Sequence, residues 1–113
     1  MTDNTTPART AIVTGSASGI GAATVLELAR QGYRTVGIDI NGDGAHSTAR
    51  EAAQLNGLTH SAFAADVSDE PKLVAAFDQA VAFLGGLDAM VTSAGVGETT
   101  PWAELSVAMV PTV

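Results

Sequence analysis

The residues best suited to chemistry in this 113-residue chain lie in segment 14–21, which reads TGSASGIG. Its glycines have the spacing G-x-x-x-G-x-G, directly after an apolar run and before a helical pattern. Glycine allows a sharp turn, a close backbone approach to a phosphate, and tight packing of a helix on a strand. A helix N-terminus at this point suits a pyrophosphate, with Ser16 and Ser18 as additional hydroxyl donors. The alternative interpretation is a tight strand-to-helix turn, since the more common fingerprint is G-x-G-x-x-G.

Asp39 supplies a second element of the same chemistry. It ends the second apolar run, 39 − 21 = 18 residues after Gly21, near the offset of about 20 at which an acid binds the adenosine ribose. Its carboxylate can accept hydrogen bonds from both ribose hydroxyls and would repel a 2′-phosphate. Because Ser16 and Ala17 offer no compensating cation, the sequence predicts NAD in preference to NADP. A solvated aspartate at a strand end is the alternative.

The composition excludes several other kinds of function. Five basic residues against twelve acidic ones give a net charge of −7, which disfavours nucleic acid and anionic membranes as partners. The absence of cysteine excludes disulfides, thiolate metal sites and a cysteine nucleophile. Residues 1–6 are polar and lack a signal-peptide pattern, which predicts a cytoplasmic location. The uncharged stretch 10–26 contains too many serines and glycines for a transmembrane helix.

Hydrophobic patterning predicts four strands that alternate with three helices and position these residues. The predicted strands are 10–14, 35–40, 61–65 and 87–92, and the predicted helices are 20–31, 45–55 and 69–84, the last with Ser68 as its N-cap. Such βαβ units have right-handed crossovers and parallel strands. We therefore expect a Rossmann-type, doubly wound α/β fold of about four strands in the order 3-2-1-4, with helices on both faces.

Together with Asp39, three motifs resemble the short-chain dehydrogenase/reductase family over about residues 9–105. They are TGSASGIG, Asp66-Val67 after the third strand and Ser93-Ala94-Gly95 after the fourth. The resemblance implies that Asp66 bonds the adenine amino group, the Val67 backbone bonds the ring, and residues 92–95 line the central riboses. Family members usually have Asn-Asn-Ala-Gly where this chain has TSAG. The candidate dinucleotide-binding residues are Gly15, Ser16, Ser18, Gly19, Ile20, Gly21, Asp39, Ile40, Asp66, Val67, Ser93, Ala94 and Gly95.

The resemblance also implies a Tyr-x-x-x-Lys pair that would serve as the general acid/base, and this pair is missing from the 113 residues. The only tyrosine, Tyr33, is followed four residues later by Gly37, and the only lysine is Lys72. No residue is therefore assigned to catalysis. We expect the NAD-binding half of an oxidoreductase for an alcohol/carbonyl pair, inactive by itself. A non-catalytic nucleotide-binding module, a partner subunit and a non-functional truncated remnant remain open.

The expected domain organisation is a flexible N-terminal tail (1–8), an NAD-binding domain (9–105) and an atypical tail (106–113). In that tail Pro111 would interrupt a helix. Truncation of the family pattern would leave strand 87–92 as an exposed apolar edge. We therefore expect self-association, or pairing with a missing C-terminal half, through this strand.

Two further patterns are expected to have no role in a site. Residues 39–44 match the opening of a calcium-binding loop, but the twelfth position is Arg50 instead of a glutamate. No residue is therefore assigned to a metal. His46 and His60 have no second ligand or nucleophile next to them in sequence and are expected at the surface.

Overall fold

The computed structural model of the chain describes residues 7–93, in which strands and helices alternate. The strands are β1 (Thr10–Thr14), β2 (Arg34–Asp39), β3 (Ser61–Ala64) and β4 (Ala89–Thr92). The helices are α1 (Gly19–Arg30), α2 (Gly42–Asn56) and α3 (Glu70–Leu84). All strand pairs are parallel, in the order β3-β2-β1-β4, which confirms the predicted class and strand order. No helix within residues 7–93 is long and apolar enough to cross a lipid bilayer.

The helices cover both faces of the sheet because consecutive residues of a strand point to opposite sides. Ile12 and Val13 of β1, both fully buried, belong to different clusters. The cluster under α3 contains Ile12, Val36, Ile38, Ala76, Ala80 and Leu84. The cluster under α1 and α2 contains Val13, Val25, Ala29, Ala52 and Val91. Both clusters contain alanines, whose small side chains let the helices lie close to the sheet. Close packing of this kind is expected from the alanine-rich sequence.

The entry of β4 into the sheet is fixed by hydrogen bonds between Asp88 and Thr10. The Asp88 carboxylate accepts from the Thr10 backbone N–H at 2.8 Å, and the Asp88 N–H donates to the Thr10 carbonyl at 3.1 Å. The Thr10 hydroxyl donates to the carbonyl of Gly86 at 2.9 Å. These contacts set the register of β4 on β1. The strand begins at Ala89, two residues later than predicted, because the Thr10 N–H donates to the Asp88 carboxylate and not to a backbone carbonyl of this segment.

Capping residues set the starts of α2 and α3, and both starts differ from the prediction. Asn41 is the N-cap of α2, and its Oδ1 accepts from the Gly44 N–H at 3.0 Å, so the helix begins at Gly42 instead of residue 45. Asp69 caps α3 by accepting from the N–H of Lys72 at 3.3 Å. The predicted cap, Ser68, donates instead to the side chain of Asp66.

His60 is half-buried in a hydrogen-bond network, so its prediction as a surface residue was wrong. Its Nδ1 accepts from the Thr35 N–H at 3.1 Å, and its Nε2 lies 3.0 Å from Oδ1 of Asn56. A backbone N–H can only donate, so Nδ1 must accept and the ring is the neutral Nε2–H tautomer. Asn56 in turn donates to the carbonyls of Ala29 and Tyr33, both at 2.9 Å. The network ties the ends of α1 and α2 to β2 and β3. His46 is exposed, as predicted.

We expect the His60 network to make folding stability depend on pH. Burial, followed by the charge of Arg34, lowers the pKa of His60 below 6.5, and a protonated Nδ1 could no longer accept from Thr35. A group whose pKa is lowered on folding contributes fully above its unfolded pKa and loses this contribution as pH falls. Urea midpoints should therefore decrease as pH falls from neutrality through 6.5 towards the lower folded pKa.

The matched variants for this prediction are His60→Gln and His46→Gln. The first should be less stable at neutral pH and lose most of the midpoint's pH dependence between pH 7 and the carboxylate range at about pH 4. The second removes an exposed imidazole and should behave like the unsubstituted chain. An equal pH dependence in both variants would show that His60 is not the titrating group.

Candidate functional site

The residues that follow β1, β2, β3 and β4 meet at the carboxyl edge of the sheet. The Gly15 N–H donates to the carbonyl of Ile38 at 2.8 Å, and the Ala65 N–H donates to that of Asp39 at 3.1 Å. The Ser93 N–H donates to the hydroxyl of Thr14 at 3.1 Å. In the sheet, β2 and β3 lie on one side of β1 and β4 lies on the other, so the direction in which strands are added switches at β1. In open α/β sheets, the crevice outside such a switch point is where ligands bind.

Three glycines of segment 14–21 have different physical roles. Gly15 has φ +74°, and a Cβ there would overlap the backbone oxygen of Ser93. A Cβ on Gly21 would overlap the carbonyl of Gly15. These two positions therefore require glycine for contacts within the protein. Gly19 has φ +61°, and among residues 7–93, apart from its chain neighbours and its own helix backbone, no atom lies within 4 Å of where its Cβ would be. Gly19 consequently leaves open space at the first residue of α1, where a ligand can approach the backbone.

Within residues 7–93, no side chain caps the N-terminus of α1. Ser18 occupies the N-cap position in an extended conformation, makes no capping hydrogen bond and is exposed, and no acidic residue lies in the first turn. The first N–H groups of a helix have no intrahelical acceptor, and the dipole gives this end a partial positive charge. Ser16 lies differently: it is buried, and its Cβ and Oγ occupy the space beside Gly37 of β2. The structure thus presents the hydroxyl of Ser18, and not that of Ser16, at the surface.

Asp39 is held in a fixed orientation by two backbone donors. Its Oδ2 accepts from the Ala17 N–H at 3.0 Å, and its Oδ1 accepts from the Asn41 N–H at 2.8 Å. The carboxylate remains partly exposed. Ala17 and Asn41 were not among the candidate residues, because a backbone donor leaves no mark in side-chain type. The one available signal was the helix that follows Asn41, which marks it as an N-cap.

Asp66 forms a second acidic position, at the end of β3. Its Oδ1 accepts from the backbone N–H of Ser68 at 2.9 Å and from the Ser68 hydroxyl at 2.7 Å. The hydroxyl contact first, and then the backbone contact, lower the pKa of Asp66 below 3.8. The group is therefore an ionised acceptor at neutral pH.

Exposed apolar side chains accompany these polar groups. Ile20, Ile40 and Val67 are 72%, 70% and 39% exposed, respectively. Ile20 lies at the start of α1, and the other two directly follow Asp39 and Asp66. The buried face of α1 consists of Gly21, Val25 and Ala29, so Ile20 lies outside the core. The edge therefore offers apolar surface beside hydrogen-bond acceptors, a combination that suits an aromatic heterocycle with polar substituents.

The structure brings most of the predicted binding residues to this one edge. They lie at the ends of the strands, in the turns that follow, or in the first turn of α1: Gly15, Ser16, Ser18, Gly19, Ile20, Gly21, Asp39, Ile40, Asp66, Val67 and Ser93. Ala94, Gly95 and the tail 106–113 lie outside the described residues. Tyr33 precedes β2, at the opposite edge of the sheet. In the part of the chain that the structure describes, no three His, Cys, Asp or Glu side chains are grouped so that they could hold a metal ion.

Comparison with known proteins gives matches to dehydrogenases over most of the chain. The sequence profile of the short chain dehydrogenase family matches residues 9–113. D-threitol dehydrogenase of Mycolicibacterium smegmatis is 44% identical over 100 residues, which make up 87% of this chain and 37% of that enzyme.

Two solved structures share the fold. A hydroxysteroid dehydrogenase from Escherichia coli aligns with a TM-score of 0.73 and 35% identity, over 85% of this chain and 42% of that one. Carveol dehydrogenase from Mycobacterium avium in complex with NAD aligns with a TM-score of 0.73 and 31% identity, over 79% and 36%. The chain thus spans less than half the length of these relatives. The profile match over residues 9–113, together with this likeness of sequence and fold, shows that the chain belongs to the short chain dehydrogenase family.

Proposed function

We propose that residues 9–105 form a domain that binds NAD(H) and serves an oxidoreductase that acts on an alcohol/carbonyl pair. The observation that carries this proposal is the Asp39 carboxylate, fixed by the backbone N–H groups of Ala17 and Asn41 beside the uncapped N-terminus of α1. The Asp39 carboxylate can accept from a ribose, and the adjacent helix N-terminus can bind the pyrophosphate that is joined to it. The M. avium relative, whose solved structure contains NAD, supports the same class of ligand.

The pyrophosphate is proposed to lie at the start of α1. The open space at Gly19 admits a phosphate close to the backbone, and the first-turn N–H groups can donate to its oxygens. The exposed hydroxyl of Ser18 can add a donor. Gly15 and Gly21 contribute indirectly, since their lack of side chains permits the contacts that hold this turn on β4 and α1.

The adenosine is proposed to lie over the ends of β2 and β3. Asp39 would accept from the ribose hydroxyls, Ile40 and Val67 would provide apolar contact for the adenine, and Asp66 would accept from its amino group. Within residues 7–93 no cation forms an ion pair with Asp39. A 2′-phosphate would therefore meet an uncompensated carboxylate, which favours NAD over NADP.

The reaction proposed for the whole protein follows from the nicotinamide, which accepts or donates a hydride when bound. The relatives' names, D-threitol dehydrogenase and hydroxysteroid dehydrogenase, support an alcohol or carbonyl as the second substrate. A non-catalytic nucleotide-binding module is the second candidate function. It is favoured by one observation: Tyr33, the only tyrosine among the 113 residues, precedes β2 at the edge away from the dinucleotide site.

The outer edge of β4 is proposed to pair with another strand, either from a second copy or from additional sequence. Among residues 7–93, β4 has one neighbouring strand, β1. Its residues are apolar or weakly polar, and an edge of this kind without charge or proline favours pairing.

Cofactor preference gives the first test. Isothermal titration of the 113-residue chain should show tighter binding of NAD than of NADP. Asp39→Ala removes hydrogen bonds to a charged acceptor worth about 1.5–3 kcal/mol, so NAD affinity should fall roughly 10- to 100-fold. NADP affinity should fall less or rise. Asp43→Ala makes the same substitution at an exposed position in the first turn of α2 and should keep the preference. Equal affinities for the two dinucleotides, or an unchanged preference in Asp39→Ala, would refute the assignment.

Turnover gives the second test. We expect the 113-residue chain to bind NAD without forming NADH from any secondary alcohol, because it contains no Tyr-x-x-x-Lys pair. Absorbance of NADH at saturating NAD, with a dehydrogenase of known activity as the positive control, measures this. NADH formation above the rate of the enzyme-free control would mean that other residues of this chain perform the acid/base step.

The state of association tests the β4 edge. The purified chain should form dimers or larger species in sizing with light scattering. Val91 is buried in the cluster under α1 and α2, whereas Met90 points to the other face of the sheet and is partly exposed, so Met90 is the position for a test variant. Met90→Lys should shift the distribution towards monomer, since a charge on an edge strand opposes pairing. A monodisperse monomer of the unsubstituted chain would exclude the proposed pairing between copies.

A further inference from the structure

Two Asn-Gly sequences occur within residues 7–93 and lie in opposite environments. Asn41-Gly42 begins α2, and Asn56-Gly57 ends it. Asn-Gly is the sequence in which an asparagine side chain is most readily attacked by the following backbone nitrogen, because glycine has no side chain to obstruct the ring closure. The two sites share this local chemistry and the same helix, so differences between them come from tertiary contacts.

Asn56 is held by its surroundings. Its Nδ2 donates to the carbonyls of Ala29 and Tyr33, and its Oδ1 accepts from the Leu58 N–H at 2.9 Å and lies 3.0 Å from His60 Nε2. The N–H of Gly57, which would be the nucleophile, donates to the Ala53 carbonyl at 2.8 Å. Ring closure at Asn56 would require all of these hydrogen bonds to break.

Asn41 is free of most such restraints. It is exposed, and its side chain accepts one hydrogen bond within the described residues, from the Gly44 N–H at 3.0 Å. Gly42 is the first residue of α2, where an N–H has no intrahelical acceptor. Ring closure requires rotation of the Asn41 ψ angle from 87°, in a first turn where helices fray. Two bonds must break here: the capping bond from Gly44 and the bond that the Asn41 carbonyl accepts from the Ala45 N–H at 3.0 Å. At Asn56, four side-chain contacts and the bond of the Gly57 N–H oppose ring closure.

We propose that Asn41 is a site of spontaneous deamidation and that Asn56 is protected by the fold. The Gly42 nitrogen loses its proton to solvent base and forms a bond to Cγ of Asn41. The Cγ–Nδ2 bond then breaks, Nδ2 takes up a proton, and ammonia leaves a five-membered succinimide. Water adds to one of the two ring carbonyls. Cleavage of the Cγ–N bond gives aspartate, and cleavage of the backbone C–N bond gives isoaspartate; the net change is gain of water and loss of ammonia.

Isoaspartate at this position would disturb the acidic site. The Asn41 N–H holds Oδ1 of Asp39 at 2.8 Å, and the isomer inserts an extra backbone atom between this residue and α2. It also adds a carboxylate close to that of Asp39. This consequence rests on the proposed function, and we expect the modified chain to bind NAD more weakly than fresh protein.

Peptide mapping by mass spectrometry tests the proposal without reference to ligand binding. The 113-residue chain is incubated at mildly alkaline pH, folded or in urea, and the mass change from amide to acid is followed at both asparagines. In the folded chain, modification at Asn41 should be at least about tenfold faster than at Asn56, a ratio equivalent to about 1.4 kcal/mol. In urea the two rates should become similar. Equal rates in the folded chain, or modification of Asn41 only in urea, would overturn the proposal.

Asn41→Ser is the matched control, since serine retains an N-cap oxygen and has no amide to lose. Each protein is compared with itself, fresh and aged. NAD affinity should fall on ageing in the unsubstituted chain and stay constant in Asn41→Ser. If fresh protein binds no NAD, the proposed function fails, whereas the mass result for Asn41 stands independently. If fresh protein binds NAD and ageing modifies Asn41 without loss of affinity, the proposed effect on the site is wrong.

Discussion

The close approach of three backbone segments at the carboxyl edge of the sheet is the constraint on which the site depends. The turn after β1 lies so near Ser93 and the first turn of α1 that no side chain fits at Gly15 or Gly21. This proximity brings Ala17 within hydrogen-bonding distance of Asp39. It also places the N-terminus of α1 beside the open space at Gly19. A larger residue at either position would move the turn, and with it both the anion-binding end of the helix and the donor that orients the carboxylate.

The opposite edge of the sheet has a purely structural network that keeps the layers in place. Asn56 and His60 join the ends of α1 and α2 to β2, while Arg34 donates to the carbonyls of Phe83 and Leu84 at the end of α3. The guanidinium also lies over the Phe83 ring, 5.1 Å from its centroid. At this edge, the polar groups of the network therefore have hydrogen-bond partners within the protein and are partly buried. The other leaves a helix terminus and apolar side chains open, which is the distribution expected when one edge binds a ligand and the other maintains the fold.

Much of the fold could be predicted because its signals are local. The buried runs of β1 and β2, the glycines that end the helices and the alternation of element types all appear as short patterns. The ends of helices and strands that depend on a hydrogen bond from a side chain several residues away were harder to predict. Asp69, and not Ser68, caps α3, because the Ser68 hydroxyl donates to Asp66. Both residue types are suitable N-caps, so the sequence alone does not distinguish them. His60 could not be placed from sequence because its partner Thr35 is 25 residues distant in the chain.

The sequence by itself determined the class of fold, the strand order and the identity of most residues at the candidate site. Glycine spacing and a strand-end acid are visible in residue types, because both depend on properties that single residues carry. Only the tertiary structure decided how Asp39 is oriented, that Ser16 faces inward while Ile20, Ile40 and Val67 face solvent, and which of two Asn-Gly sequences is exposed. These features depend on backbone donors and on packing between distant segments. Backbone N–H groups are identical in nearly every residue, so their use appears only once the chain has folded.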